Sequence, residues 1–419
     1  MLDLVLTYVT RREGRRFLDL HREEGMASPP GLQSGSGPGR ANASLYVHIP
    51  FCKALCPYCS FNRYLFQEEE ARRYFRNLKN ELDLYVGEGY RFSNIYFGGG
   101  TPTVLMEELL EFINYLHAKM DVREISLETN PGDVSSESVR LLKEAGVKRL
   151  SVGVQSFDKE VLKSMGRASL YGAELVERVS LARGAFDTLN IDLLYNLPSQ
   201  SIDIFQKDLD IFGDLGIEQV TFYPLIPSPR RATALERSFG RVNTSREKMF
   251  YDVILEEMDA GGYTPSTTWC FSRGHRIIDE YIVEYDDYVG IGSGAVSLIG
   301  GVFYVNSFSL TRYGEYLRKG RLPVIGWRRL SKSELARYYL LTRLFGLKLD
   351  RDQFKTSFGV DLHRELRKEL LFLKLAGTVQ ERDGALHLTK KGMYHVSGMM
   401  REFFIALNSL REYCMRHKL

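Results

Sequence analysis

Three cysteines fall within eight residues, Cys52, Cys56 and Cys59, in the run YVHIPFCKALCPYCSFNRY. Thiolates are soft ligands that suit iron–sulfur clusters and zinc. Three of them leave one metal position without a protein ligand, and in a cluster that open iron can bind a small molecule. A structural zinc site is closed and four-coordinate, so zinc would need a further ligand, which His48 or Cys270 could supply. A disulfide pair with a spare thiol is a third reading. Five cysteines in 419 residues are no disulfide framework, however, and no secretory apolar segment precedes the triplet. Ligand type and number favour the cluster. Tyr58 stands immediately before the third cysteine, where it would suit a flat ligand stacked beside the metal.

The elements that must hold this loop are legible as alternating strands and helices. Predicted strands are Leu45–Ile49, Asn94–Phe97, Glu124–Glu128, Arg149–Val154, Leu189–Leu194 and Gln219–Tyr223, each short and apolar. Predicted helices include Glu107–Lys119, Ser135–Ala145, Tyr171–Arg183 and Ile202–Leu215. Six such units imply an α/β fold with a parallel sheet and right-handed crossovers. The cysteine triplet then follows the first strand, Gly98-Gly99-Gly100-Thr101-Pro102 follows the second, and Glu128 ends the third. A glycine run after a strand alone marks only a tight turn; beside three cysteines it marks backbone that approaches a ligand closely.

Cys-x3-Cys-x2-Cys with an aromatic before the last cysteine resembles the radical S-adenosylmethionine (radical SAM) superfamily. The flanking YVHIPFC and CSFN are similar to its oxygen-independent coproporphyrinogen III oxidase-like group, which also holds heme chaperones and class C methyltransferases. The resemblance runs from about Leu45 to the C-terminus. It implies an open six-stranded partial barrel, of the TIM-like (β/α)6 kind, with chemistry at the C-terminal ends of the strands. It implies a 4Fe-4S cluster on Cys52, Cys56 and Cys59, with S-adenosylmethionine held by Gly99, Gly100, Thr101 and Glu128. Tyr46, in the first strand, matches a catalytic and cofactor-binding position, and Tyr58 a cofactor-binding one. Gln155, Arg167 and Asp192 match a second S-adenosylmethionine site.

Departures from the pattern sort the functions. The oxidase carries a further cysteine where this chain has Phe61. The heme chaperone carries a His-Asn-x-x-Tyr-Trp motif where this chain reads Ile278-Asp279-Glu280-Tyr281-Ile282-Val283, so an axial heme ligand is missing there. A class C type methyltransferase acting on an sp2 carbon of a planar substrate is therefore expected first, porphyrinogen decarboxylation second and heme carriage third. The resemblance also implies a reductant such as flavodoxin or ferredoxin. Gly290–Ala295 (GIGSGA) lacks the strand-to-helix context of a dinucleotide loop. The acidic residues Asp279, Glu280, Glu284, Asp286 and Asp287 read as a solvated face, or as a repulsive rim for carboxylates if they flank the barrel mouth. Tyr223–Arg231 reads as a substrate-specific loop. Trp269 and Tyr281 read as core residues that could instead stack a planar substrate, and Cys270 and Cys414 as ordinary thiols.

A net charge of +3 gives no argument for nucleic acid, and no apolar run is long enough to span a membrane. Reduced cysteines imply a cytoplasmic, anaerobic setting. Residues 2–22 read as an amphipathic helix, within an N-terminal segment 1–26, that packs on the barrel or lies on an anionic membrane surface. Residues 27–43 read as a Pro/Gly/Ser-rich linker, 44–325 as the barrel, and 326–419 as a helical module. Asp383-Gly384 between apolar residues signals a hairpin, which gives this module a winged-helix-like character, read as a cap over the barrel mouth. The last stretch, from Met399, reads as a further amphipathic helix.

Overall fold

The computed structural model describes residues 10–14, 19–22, 43–167, 169–226, 236–237, 240–274, 277, 281–417 and 419. Six parallel strands form the centre: β1 Ser44–Ile49, β2 Asn94–Gly99, β3 Glu124–Thr129, β4 Arg149–Gln155, β5 Thr188–Tyr195 and β6 Gln219–Pro224. They stand side by side in chain order. Their residues are buried on both faces, which is why each reads as an apolar run and not as an alternation. Helices α1 Glu68–Gly87, α2 Met106–Lys119 and Ile202–Leu215 cover the outer face. Phe75, Leu78, Phe112, Ile113, Phe205 and Phe212 are sunk in that layer. The α/β partial barrel is as expected.

The sheet extends beyond the six strands. Tyr288–Ile291 lies parallel to β1 and leads into antiparallel strands Val296–Ile299, Val302–Asn306 and Val324–Arg329. On the far side Cys270–Ser272 runs antiparallel to β6. Thirteen strands form this sheet among the described residues. The expected barrel boundary at 325/326 falls inside the strand Val324–Arg329.

The N-terminal segment corrects one expectation. Helix is found at residues 10–14, but His21–Arg22 is a strand paired with Trp327 and Gly326, so no helix runs to residue 22. Residues 10–14 dock on the C-terminal module and not on the barrel. Arg11 Nε donates to Glu402 at 2.8 Å, Arg337 pairs with Glu13 at 3.3 Å, and a Cβ on Gly14 would lie 3.0 Å from Ala406. The expected linker lies outside the described residues except for its last, Ala43, which is buried.

The C-terminal module contains helices Lys332–Phe345, Arg351–Phe358, Arg367–Leu375 and Lys390–Arg416. Its three-stranded sheet sets Ala385–Leu388 between Lys348–Asp350 and Val379–Arg382. The hairpin turn is the expected Asp383-Gly384, both with positive φ (49° and 72°), the backbone that Asp-Gly adopts most readily. The last helix begins at Lys390, nine residues before the expected Met399. Thr389 caps it by accepting from the Gly392 N–H.

Candidate active site

The strand ends bring the cysteine loop, the glycine run and three polar side chains to one face. The loop leaves β1 through Pro50. Phe51–Cys52 then pairs in parallel with Tyr64–Leu65, which closes residues 50–66 into a compact turn. Cys52 is buried, while Cys56 and Cys59 are half-buried; all are free thiols. Burial pushes the Cys52 thiol above its usual range, against a hydrogen bond of 3.5 Å from Thr101 Oγ1. Arg63 closes the turn: its Nη2 donates to the carbonyls of Cys56 and, at 3.0 Å, Cys59.

His48 is the expected candidate for a fourth zinc ligand, and its ring is engaged on both sides. Nε2 faces the Asn62 carbonyl at 2.9 Å and Nδ1 faces Tyr46 Oη at 2.9 Å. A carbonyl only accepts, so Nε2 carries the proton and Tyr46 donates to Nδ1. Burial drives the His48 pKa down to about 4, so the ring is neutral. Neither nitrogen is available to a metal. Among the described residues, no three His, Cys, Asp or Glu side chains converge on a single-ion position. Three free thiols lie on this one loop, and among the described residues no fourth His, Cys, Asp or Glu joins them.

The glycines are demanded by what packs on them. A Cβ on Gly98 would lie 2.9 Å from Glu128 Oε1, and one on Gly99 would lie 2.6 Å from the His48 ring. Gly99 also has φ +116°, and a Cβ on Gly100 would strike the Phe51 carbonyl at 2.6 Å. The space so left lets the Gly99 N–H donate to Glu128 Oε2 at 3.1 Å, while Tyr96 Oη donates to Oε1 at 2.8 Å. Tyr46 and Tyr96 sit side by side on β1 and β2 with rings 6.1 Å apart.

A second polar group lies one to two strands further on. Arg167 Nη2 donates at 2.7 Å to the Gly153 carbonyl and to Asn130 Oδ1, and Nη1 lies 3.3 Å from Tyr58 Oη. Asn130 in turn donates to Thr101 Oγ1 at 2.6 Å. One hydrogen-bonded chain thus runs from Arg167 through Asn130 and Thr101 to Cys52. Gln155 ends β4 at a register shift with φ +72°, a conformation that costs a non-glycine residue on the order of 1–3 kcal/mol. Asp192 pairs across the sheet with Gly153 and accepts at Oδ1 from Ser151 Oγ (3.0 Å) and Asn190 Nδ2 (2.8 Å).

Other expectations resolve plainly. Trp269 is buried, donates from Nε1 to Ser397 Oγ at 2.7 Å and packs edge-on to Phe345, so it is a core residue. The Asp287 carbonyl accepts from the Ser44 N–H at the start of β1, and Tyr285 meets Asn94 at the start of β2. Asp286 pairs with Arg343. These acids therefore lie at the end of the barrel opposite the cysteine loop, and no repulsive rim forms from the described ones. Asp279, Glu280, the Tyr281 side chain and most of the Tyr223–Arg231 loop lie outside the described residues. Asn62, Arg63 and Asn130 carry no role in the sequence reading, although Asn62 and Arg63 sit within the cysteine run and Asn130 lies two residues after Glu128.

Residues 46–212 match the family model described as the Radical SAM superfamily. The heme chaperone HemW of Escherichia coli (strain K12) is 33% identical over 274 residues, 60% of this chain and 69% of that protein. The chain belongs to the radical SAM superfamily. Within the superfamily it falls in the HemN/HemW group. The oxygen-independent coproporphyrinogen III oxidase of Helicobacter pylori (strain ATCC 700392 / 26695) is 28% identical, covering 86% of this radical SAM chain and 85% of the oxidase. The structure of coproporphyrinogen III oxidase (HemN) from Escherichia coli superposes with a TM-score of 0.75, covering 91% of this chain and 94% of that one, at 23% identity. That likeness establishes the shared fold. Radical SAM family membership implies a 4Fe-4S cluster and S-adenosylmethionine, which the three free thiols and the glycine-lined strand end fit. Among the described residues no helix is long and apolar enough to cross a membrane.

Proposed function

We propose that this radical SAM protein is a methyltransferase that uses two molecules of S-adenosylmethionine to methylate an sp2 carbon of a planar substrate. The observation that carries the reading is Arg167, which reaches Tyr58 on the cysteine loop and the Gly153 carbonyl, with Asp192 opposite Gly153 and Gln155 at the end of β4. In this reading Cys52, Cys56 and Cys59 hold the cluster. Glu128 and the backbone of Gly99, Gly100 and Thr101 receive the zwitterionic end of the first S-adenosylmethionine. When bound, cluster and cofactor supply one-electron cleavage of a carbon–sulfur bond and hence hydrogen-atom abstraction. Tyr46, oriented by neutral His48, presents its ring near the reacting atoms. Arg167 meets the carboxylate of the second cofactor, Asp192 its ammonium, and Gln155 fixes its orientation. Tyr58 stacks on the bound nucleotide side.

The relatives are named as a heme chaperone and a coproporphyrinogen III oxidase, both tetrapyrrole proteins by name, so a tetrapyrrole is the first planar substrate to test, ahead of quinones and heteroaromatic rings. Oxidative decarboxylation of a porphyrinogen is the second reading. It is favoured by the acids standing at the far end of the barrel, where they do not repel propionates, and opposed by Phe61 in place of a cysteine. Heme carriage is disfavoured because no histidine occurs between Arg276 and Leu362. A low-potential electron donor such as flavodoxin or ferredoxin would be the partner.

Anaerobic turnover with methyl-deuterated S-adenosylmethionine tests this. Deuterium in 5′-deoxyadenosine and a methylated product are expected. Asp192→Asn should slow methyl transfer about 10- to 100-fold, the worth of one charge-assisted hydrogen bond, while cofactor cleavage continues. Carbon dioxide release without label transfer would select the oxidase reading instead.

A further inference from the structure

A cavity of about 290 Å3 lies outside the barrel, between α1 and the helix Leu310–Arg318. Its walls carry Glu70, Arg73, Asn77, Thr311, Gly314 and Arg318, and buried Tyr74 lines it from within. It shares no residue with the cysteine loop, the glycine run or the Arg167 group. The side chains of Asn77, Thr311 and Arg318 have no hydrogen-bond or ion-pair partner among the described residues. Arg73 has only Glu70, at 3.8 Å. Two guanidinium groups thus stand against one carboxylate.

Gly314 explains how the space persists. Glycine inside a helix is unfavourable relative to alanine. Here a Cβ would lie 2.9 Å from Asn77 Nδ2 and 3.6 Å from Arg318 Nη1. The missing side chain is what lets amide and guanidinium gather over the helix surface.

We infer that this cavity is a second ligand site, for a small anion bearing several oxygens, of the phosphate or polycarboxylate class. Guanidinium, primary amide and hydroxyl groups supply donors in excess, and arginine forks match carboxylate and phosphate oxygens in pairs. The volume sits at the small end of ligand pockets, which suits a compact polyanion and not a nucleotide. Such a ligand would sit against Tyr74, whose hydroxyl donates to the His48 carbonyl at 2.7 Å and accepts from the Ser293 N–H at 2.8 Å. The site is therefore one residue removed from the strand that carries His48.

Calorimetric titration of the full chain with pyrophosphate and, separately, citrate at fixed ionic strength tests the inference. Saturable one-site binding of at least one is expected, and which of the two binds more tightly distinguishes a phosphate source from a carboxylate source. Binding should weaken about tenfold or more in Arg73→Ala/Arg318→Ala, whose exposed side chains leave folding intact, and also in Thr311→Val. Arg72→Ala should bind as wild type, because Arg72 is engaged outside the cavity by Glu68, Glu107 and Glu108. Absence of saturable binding, equal affinity in the double variant, or an equal loss in Arg72→Ala would overturn it.

Discussion

His48 donates from Nε2 to the backbone carbonyl of Asn62, 14 residues on, at 2.9 Å. That single bond ties the end of β1 to the far side of the cysteine loop, and it fixes the tautomer that lets Tyr46 donate to Nδ1. Burial holds the ring pKa at about 4, below the ordinary 6.5. A depressed histidine contributes stability that is fully present above pH 6.5 and is lost as pH falls through about 4. The shift corresponds to on the order of 3 kcal/mol. Urea denaturation between pH 7.5 and 4 should show this loss in the wild type, and His48→Gln, which cannot titrate, should lack it. Parallel pH dependence in the two proteins would contradict the assignment.

Glu81 titrates with the opposite sign. It is fully buried on α1, where its carboxylate accepts from Tyr313 Oη at 2.6 Å, the Gly292 N–H at 2.8 Å and Asn306 Nδ2 at 2.7 Å. Burial outweighs these bonds and raises its pKa to about 7. Its contribution to stability is complete below the ordinary 4.5 and is lost as pH rises through about 7. Glu81→Gln should flatten that alkaline slope while costing about 1–3 kcal/mol overall, because the amide turns one acceptor into a donor facing Asn306. Denaturation curves at pH 5, 7 and 9 separate the two effects.

Gly99→Ala should disable the site without removing any catalytic group. The new Cβ meets the His48 ring at 2.6 Å in a backbone with φ +116°. Strain of this kind costs on the order of 1–3 kcal/mol. The expected result is a lower melting temperature and a loss of S-adenosylmethionine binding with the cysteines intact. Unchanged cofactor affinity would show that the glycine serves only the turn.

Single Cys→Ser substitutions separate ligands from bystanders. Cys52→Ser, Cys56→Ser and Cys59→Ser should each abolish the iron and acid-labile sulfide retained after anaerobic reconstitution. Cys270→Ser and Cys414→Ser should retain both, since Cys270 is sealed in a strand beside β6 and Cys414 is buried on the last helix. Stoichiometric zinc in place of iron would contradict the cluster.

Central strands buried on both faces of a parallel barrel read as continuous apolar runs, so all six strands were readable to within two residues at either end. The antiparallel strands between Tyr288 and Arg329 were not read. They lie among glycines and turns, and short runs there carry no period that separates strand from loop. Glu81 shows a different blindness. It sits at helical spacing with Tyr74, Leu78 and Tyr85 on the buried face of α1, and that spacing was its one available signal. A glutamate in a charged helix otherwise looks solvated.

The sequence by itself determined the chemistry: three thiols of stated spacing, a glycine run and a carboxylate, each at the end of a strand. These are local patterns, in which neighbours along the chain supply the meaning. Only the tertiary structure decided that His48 is neutral and occupied, that Arg167 reaches Cys52 through Asn130 and Thr101, and that the acids near residue 286 stand at the opposite end from the cysteines. Those facts depend on burial and on hydrogen bonds between residues tens of positions apart, and no local pattern encodes which distant partner a side chain will meet.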